Sequence, residues 1–208
     1  RSKGRTAMKR WMMIGLLVCA CGSSDGNNNN GNNSGPGSIS GTVGGHPLNV
    51  KDAVFAVGSV NEVTVAITDQ ANTCSLLSGT TLPSTTTVLF LTLANFVPPA
   101  TINPHTTGDY AFFDFNGANP PGSAGRYWFG GFETVDTTCN GNVLAFSSGG
   151  TVSVTQVGNS SGTHLKADLH GLQFGSDTLN GNFDASYCAA LVTTNCGNLI
   201  ARPPAPAE

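Results

Sequence analysis

The strongest pattern in the sequence is a strict alternation of polar and apolar residues near the C-terminus. Residues 164–170 read His-Leu-Lys-Ala-Asp-Leu-His, so the charged and imidazole side chains share one parity and the apolar side chains share the other. A period of two is typical of an antiparallel strand with one solvated face and one buried face. A turn at 174–178 follows, and Leu179, Gly181, Phe183 and Ala185 continue an apolar face. This part of the chain is predicted to form a β-hairpin.

The rest of the chain after residue 38 has the same character, with short runs of Val, Thr, Phe and Leu between Gly, Asn, Pro and Ser. The candidate strands are Ser40–Val43, Ala53–Val57, Glu62–Thr68, Thr86–Leu93, Asp109–Phe115, Arg126–Glu133, Val143–Phe146, Thr151–Val157, His164–Leu172 and Thr178–Tyr187. One helical turn is expected after Asn72, and no sustained helical periodicity appears. The pattern predicts an all-β domain over residues 39–202, an antiparallel β-sandwich of jelly-roll or immunoglobulin-like type with about ten strands. A Pro/Ala tail, 203–208, follows it.

The first residues have a different pattern. Lys9 and Arg10 precede an uninterrupted apolar run over residues 11–20. A basic segment, about ten apolar residues and a small residue before the cleavage point are typical of a secretory signal. The run is too short for a spanning helix, which needs about 20 apolar residues. Export is therefore predicted.

The end of this run, Val18-Cys19-Ala20-Cys21, resembles the lipobox of bacterial lipoproteins. The resemblance implies that residues 1–21 contain a lipoprotein signal peptide and that Cys21 becomes the acylated N-terminus. Several acyl chains anchor a protein firmly, whereas one binds only marginally. Gly22 after the acceptor cysteine implies, by the same resemblance, an outer-membrane destination. The alternative is an ordinary signal peptide that happens to contain two cysteines.

Residues 22–38 are rich in Asn, Gly and Ser, and the segment 26–38 has no side chain that could bury apolar surface. Nothing in such a segment offsets the entropy of ordering it. We expect a flexible tether that holds the folded domain away from a membrane.

Cysteine usage is consistent with export. Beyond the lipobox the chain contains four cysteines: Cys74, Cys139, Cys188 and Cys196. An even number in an exported chain indicates two disulfides, for which three connectivities are possible. We favour Cys188–Cys196, which closes a short loop, together with Cys74–Cys139. The spacings fit no zinc site.

The charge is unevenly distributed. The first ten residues hold five of the nine Lys and Arg, and none of the twelve acids precedes residue 22. Removal of the signal leaves four basic residues against twelve acids, so the formal charge changes from −3 to −8. Such a domain is unsuited to nucleic acid or other anionic partners and is compatible with cations and neutral ligands.

A hydrolase-like motif occurs at residues 158–162, Gly-Asn-Ser-Ser-Gly, with Asp168 and His170 downstream. The nucleophile elbow requires a strand, a turn and a helix, whereas strands are predicted on both sides of Ser160. A triad is therefore disfavoured. Asp168 and His170 share a strand face about 7 Å apart and could ligate a metal, but no third ligand is evident.

Aromatic residues concentrate between 110 and 132, on two predicted strands. Tyr110, Tyr127 and Trp128, flanked by Asp114 and Glu133, are candidate ligand-binding residues, since exposed rings stack well on sugars and other neutral ligands. The alternative, which we favour, is a core hairpin with the rings inside. Asp114 and Glu133 could also form the carboxylate pair of a glycosidase.

Taken together, these features predict a lipid-anchored module of the cell envelope that binds a partner or has a structural role without catalysis or a cofactor. A glycan or an envelope protein is its expected partner. The alternative is a carbohydrate-active hydrolase that uses carboxylates.

Overall fold

The computed structural model describes residues 35–79, 81–97, 101–114 and 124–192. The strands are β1 Gly37–Ser40, β2 Thr42–Val43, β3 His46–Pro47, β4 Asp52–Val57, β5 Val63–Thr68, β6 Thr86–Val97, β7 Thr101–Asn103, β8 Gly108–Phe112, β9 Gly125–Val135, β10 Gly141–Phe146, β11 Gly149–Gln156, β12 His164–Phe174 and β13 Asp177–Tyr187. A short helix α1, Thr73–Leu77, and a 3₁₀ helix, Ala189–Val192, complete the set. The prediction of a nearly all-β chain with one helical turn after Asn72 is confirmed. None of the helices in this part of the chain is long and apolar enough to cross a membrane.

The strands form a closed eight-stranded barrel. Their order is β9-β8-β11-β12-β13-β4-β5-β6, and β6 closes the ring by pairing with β9 over Thr86–Phe96 and Gly125–Val135. Two of the pairings, β8–β9 and β13–β4, are parallel. The predicted antiparallel sandwich is therefore wrong. Strands of sandwiches and barrels bury alternate residues in the same way, so periodicity does not reveal the β6–β9 closure.

Shorter strands extend the barrel wall. β10 pairs with the C-terminal half of β9, β7 with the end of β6, and β1 with β13. β2 and β3 form a separate two-stranded ribbon. β1 begins at Gly37.

The barrel interior is filled. Its buried core includes Phe55, Val65, Ile67, Leu89, Leu91, Tyr110, Trp128, Phe132, Val152, Leu165, Leu169, Phe174 and Phe183. The predicted alternation in β12 is confirmed through Leu169. Gly171, at φ +57°, then lies in a bulge that shifts the register before Leu172. Such a bulge moves the following side chains relative to the barrel wall.

A second apolar cluster lies outside the barrel, where α1 and the 3₁₀ helix cover β4, β5 and β6. Its members include Val54, Ala66, Leu77, Val88, Phe90 and Leu191. A disulfide, Cys74–Cys188, joins these two helical segments across 114 residues. It is the one complete disulfide among the described residues.

The predicted cysteine connectivity is wrong, since Cys74 bonds to Cys188 and neither predicted pair can then form. Cys139 is not a free thiol, and Cys196 lies outside the described residues. Sequence spacing favours the short Cys188–Cys196 loop, but the closed barrel brings the chain after β13 against the helix that follows β5.

Candidate functional site

The barrel buries two of the three aromatic residues predicted to bind a ligand. Tyr110 and Trp128 are fully buried in the core. The Tyr110 hydroxyl donates to the backbone carbonyl of Thr106 at 2.9 Å and accepts from its N–H at 3.0 Å. Trp128 Nε1 donates to the carbonyl of Gly150 at 3.1 Å. Both rings and their polar atoms are used by the fold, as the favoured core alternative predicts.

Tyr127, the third aromatic, faces outward and is half-buried. It contacts Phe113 edge-on, with ring centroids 5.5 Å apart, and Phe96 at 6.1 Å. Phe96 and Phe113 stack at 6.1 Å. Phe113 is itself buried, so Tyr127 is the aromatic residue of the predicted site that remains partly accessible to a ligand.

The two candidate carboxylates lie in different environments. Asp114 is exposed and follows β8, whereas Glu133 is buried on β9. The strand residues opposite Glu133 are Val88 of β6 and Val143 of β10. β10 rather than the end of β8 therefore flanks Glu133, and the register does not place Asp114 opposite it.

Glu133 has the most perturbed electrostatics of the described carboxylates. Its Oε1 is buried without a hydrogen-bond partner. Burial raises the pKa of Glu133 from 4.5 to about 7, because the charged form loses its hydration. Gly141 lies against the Glu133 carboxyl group, and its lack of a side chain leaves room for it. A Cβ at position 141 would lie 3.0 Å from Glu133 Oε2. The sequence around Glu133 gave no signal of this burial.

The hydrolase-like motif lies in the loop between β11 and β12. A strand and not a helix follows Ser160, so the elbow geometry is absent. Asp168 and His170 both lie on the outer face of β12, opposite Ser153 and Thr151 of β11. No cluster of three or more potential metal ligands occurs in the described ranges.

An ion-pair cluster that sequence reasoning missed lies nearby on this wall. Asp184 of β13 bonds His164 Nδ1 at 2.6 Å and Lys166 Nζ at 2.8 Å. Register explains the contact, because Lys166 is directly opposite Asp184. Only strand pairing, and not the spacing in sequence, could have revealed it.

His105 is a second residue missed from the sequence. It is buried in the connection between β7 and β8, and its Nε2 lies 2.6 Å from the carbonyl of Gly158. A carbonyl accepts only, so Nε2 carries the hydrogen and Nδ1 is left buried without a partner. Burial lowers the pKa of His105, against a smaller opposing effect of the Gly158 bond. The ring is a neutral link between two loops.

The predicted lipidation site, Cys21, lies outside the described residues. The chain matches no protein-family model, and no curated protein or solved structure resembles it significantly.

Proposed function

We propose that the protein is a lipid-anchored module of the bacterial cell envelope, attached through Cys21 and acting by binding or by a structural role without catalysis. The anchor rests on the lipobox resemblance of Val18-Cys19-Ala20-Cys21. The Cys74–Cys188 disulfide is consistent with an oxidising compartment.

The observation that carries a non-catalytic role is the filled barrel. Barrels that enclose a small ligand leave room inside, whereas here Trp128, Tyr110 and Phe55 are fully buried within the core. The largest rings of the predicted site are thus committed to packing. A partner would bind the outer surface, where Tyr127 is accessible.

Acylation of the full chain in a Gram-negative host tests the anchor. Wild-type protein is expected to incorporate labelled palmitate and to yield an N-terminal peptide with the mass of acylated Cys21. Cys21→Ala should abolish both signals, and the matched control Cys19→Ala should retain them. Unchanged acyl labelling of Cys21→Ala would refute the anchor.

A carbohydrate-active hydrolase is the second candidate, favoured by the buried Glu133. A carboxyl group whose pKa is raised to about 7 has the property that a glycosidase general acid requires. This candidate predicts hydrolysis of an envelope glycan that Glu133→Gln abolishes and that the matched control Glu62→Gln leaves intact. No release of reducing ends by the wild-type protein would argue against it.

A further inference from the structure

The edge strand β10 lies beside the buried Glu133 and is fixed at both ends. Before its start, Cys139 of the β9–β10 turn is 3% exposed and disulfide-bonded. Beyond its far end, Ser147 N–H donates to the carbonyl of Gly130 at 2.9 Å, and Ser147 Oγ accepts from the N–H of Gly130 at 2.9 Å. We call β10, Gly141–Phe146, the strap.

Between these ends the strap has few contacts. Among the described strands it pairs with β9 alone, and a bulge interrupts that ladder between Val143 and Ala145. Val143 and Phe146 are 40% and 42% exposed, and Leu144 and Ala145 are only partly buried against the core. Local opening of such an edge strand costs less free energy than unfolding of the barrel.

Glu133 lies directly against the strap. It is 2% exposed and opposite Val143, and a Cβ added at Gly141 would lie 3.0 Å from its Oε2. Its Oε1 has no hydrogen-bond partner. A buried carboxyl group without a partner is tolerated when it is protonated and strongly disfavoured when it is ionised. The closed arrangement therefore suits only the neutral acid.

The described elements around Glu133 contain no cation that could compensate its charge. β6 and β10, the strands on either side of it, have no ionisable side chain. Neither α1 nor the 3₁₀ helix, which pack in the outer cluster with the adjacent Val88 and Val135, has a side chain that titrates. On β9 itself Arg126 is seven residues away, about 23 Å along an extended strand. Asp136, in the turn, has the same sign of charge as ionised Glu133.

Of the elements beside Glu133, the strap is the one that can move aside most easily to admit water. On the opposite side of β9, β6 is paired along its length from Thr86 to Phe96. The two helical segments of the outer cover are cross-linked by the Cys74–Cys188 disulfide. Displacement of β6 would break the ladder that closes the barrel, whereas displacement of the strap breaks one short, interrupted ladder.

We propose that the strap is a pH-operated element of the fold, closed against β9 while Glu133 is protonated and released between its fixed ends when Glu133 is ionised. The strap does not depend on the proposed lipid anchor. Burial raises the pKa of Glu133 from 4.5 to about 7 in the closed state, and exposure to water restores the ordinary value. The closed state therefore binds the proton more tightly, so opening increases as the pH rises from about 4.5 to 7 and is constant above that range.

Amide hydrogen exchange of the full chain at pH 5.5 and pH 8 tests the strap. Each rate is expressed as a protection factor relative to the unstructured chain at the same pH, which removes the intrinsic effect of pH on exchange. Protection of the strap is expected to be about 10- to 30-fold lower at pH 8, the change that the two pKa values give. It should also be lower than the protection of β12, His164–Phe174, at both pH values, because the strap opens without unfolding of the barrel.

Two variants identify the group responsible. Glu133→Gln should remove the loss of protection at pH 8, because its side chain has no proton to lose. Val143→Ala, on the strap itself, is the matched control: it removes no ionisable group and should keep the wild-type ratio of protection between the two pH values.

Three results would overturn the proposal. One is a strap with the same protection at both pH values in the wild-type chain. Another is equal protection and equal pH dependence in the strap and in β12, which would mean that ionisation acts through unfolding of the whole barrel. The third is an unchanged loss of protection in Glu133→Gln, which would assign the effect to a different group. The comparison with β12 uses the wild-type chain, so it decides the question even where a variant does not fold.

Discussion

The outer face of the barrel is apolar and covered on one side and polar and solvent-facing on the other. Over β4, β5 and β6 it is apolar and covered: every residue of β5 is buried, and α1 and the 3₁₀ helix pack on it. Over β11, β12 and β13 it is polar and bare, with His164, Lys166 and Asp168 alternating with core residues. Both walls contribute to the same buried interior.

The difference is already visible in the strand sequences. Val-Thr-Val-Ala-Ile-Thr of β5 has apolar residues on both parities, which is typical of a strand buried on both faces. In β12 polar and apolar residues alternate, so its outer face is polar and does not need to be shielded from water. A strand without a polar face requires another part of the chain to shield it, and here a disulfide fixes that shield in place.

Removal of the disulfide should have the largest effect on the covered wall. Cys74→Ser is expected to lower the free energy of unfolding by about 4 kcal/mol, since the bond closes a long loop in the unfolded chain. Urea unfolding followed by tryptophan fluorescence measures the change. Both proteins are compared without reductant, because Cys139 is also disulfide-bonded and a reductant would not act on the Cys74–Cys188 bond alone. A loss below about 1 kcal/mol would show that the apolar packing holds the cover without the bond.

Glu133 of β9 is a buried acid beside the covered wall. It shares the outward face of β9 with Val135 and lies opposite Val88, and both valines belong to the outer apolar cluster. Its folded pKa is about 7, so the unfolded chain loses its proton first as pH rises. Stability is therefore full below pH 4.5 and falls as the pH rises toward 7, by up to about 3 kcal/mol.

Glu133→Gln tests this pH dependence. The variant should match the wild type in urea unfolding at pH 4.5 and be more stable at pH 8, because it has no proton to lose. Leu77→Ala removes no ionisable group and is the control, because it should keep the wild-type slope of stability against pH. Parallel curves for wild type and Glu133→Gln would show that Glu133 is solvated in the folded state.

The sequence predicted individual strands much better than their arrangement. Alternation identified the β12–β13 hairpin and the apolar residues that face the core. Closure depends on the long β6–β9 pairing and on the parallel β13–β4 contact, which involve residues far apart in the chain and have no local signature. The disulfide error has the same origin, because Cys74 and Cys188 meet only once the barrel is closed.

The candidate site was predicted less well for a related reason. Residue types gave the aromatic cluster, but parity alone did not decide which face of β9 points inward. Trp128 faces the core and Tyr127 faces outward. His105 gave no signal at all, since a lone histidine in a loop is typical of exposed polar sequence.

The helical cover itself can be tested without touching the disulfide. Leu77 of α1 is 3% exposed within the outer cluster. Leu77→Ala should lower the free energy of unfolding by about 2 kcal/mol, through lost apolar burial and an incompletely collapsed cavity. Leu76→Ala, at the half-buried neighbour, is the control and should cost less in the same urea titration. Equal costs would indicate that α1 does not pack by one specific face.

Substitutions on the bare wall should lower the free energy of unfolding least, even at Asp184, which makes two ion pairs. Asp184 pairs with His164 and Lys166. The Asp184 side chain is largely buried, but both partners reach solvent, and ion pairs at a solvated surface typically contribute about 0–1 kcal/mol. Asp184→Asn is therefore expected to cost less than about 1 kcal/mol, and less still at high salt because screening already weakens the pairs. Urea unfolding at low and high ionic strength measures both effects. A cost comparable to that of Leu77→Ala would mean that the polar wall is held by its charges as firmly as the covered wall is held by packing, and the contrast between the two faces would fail.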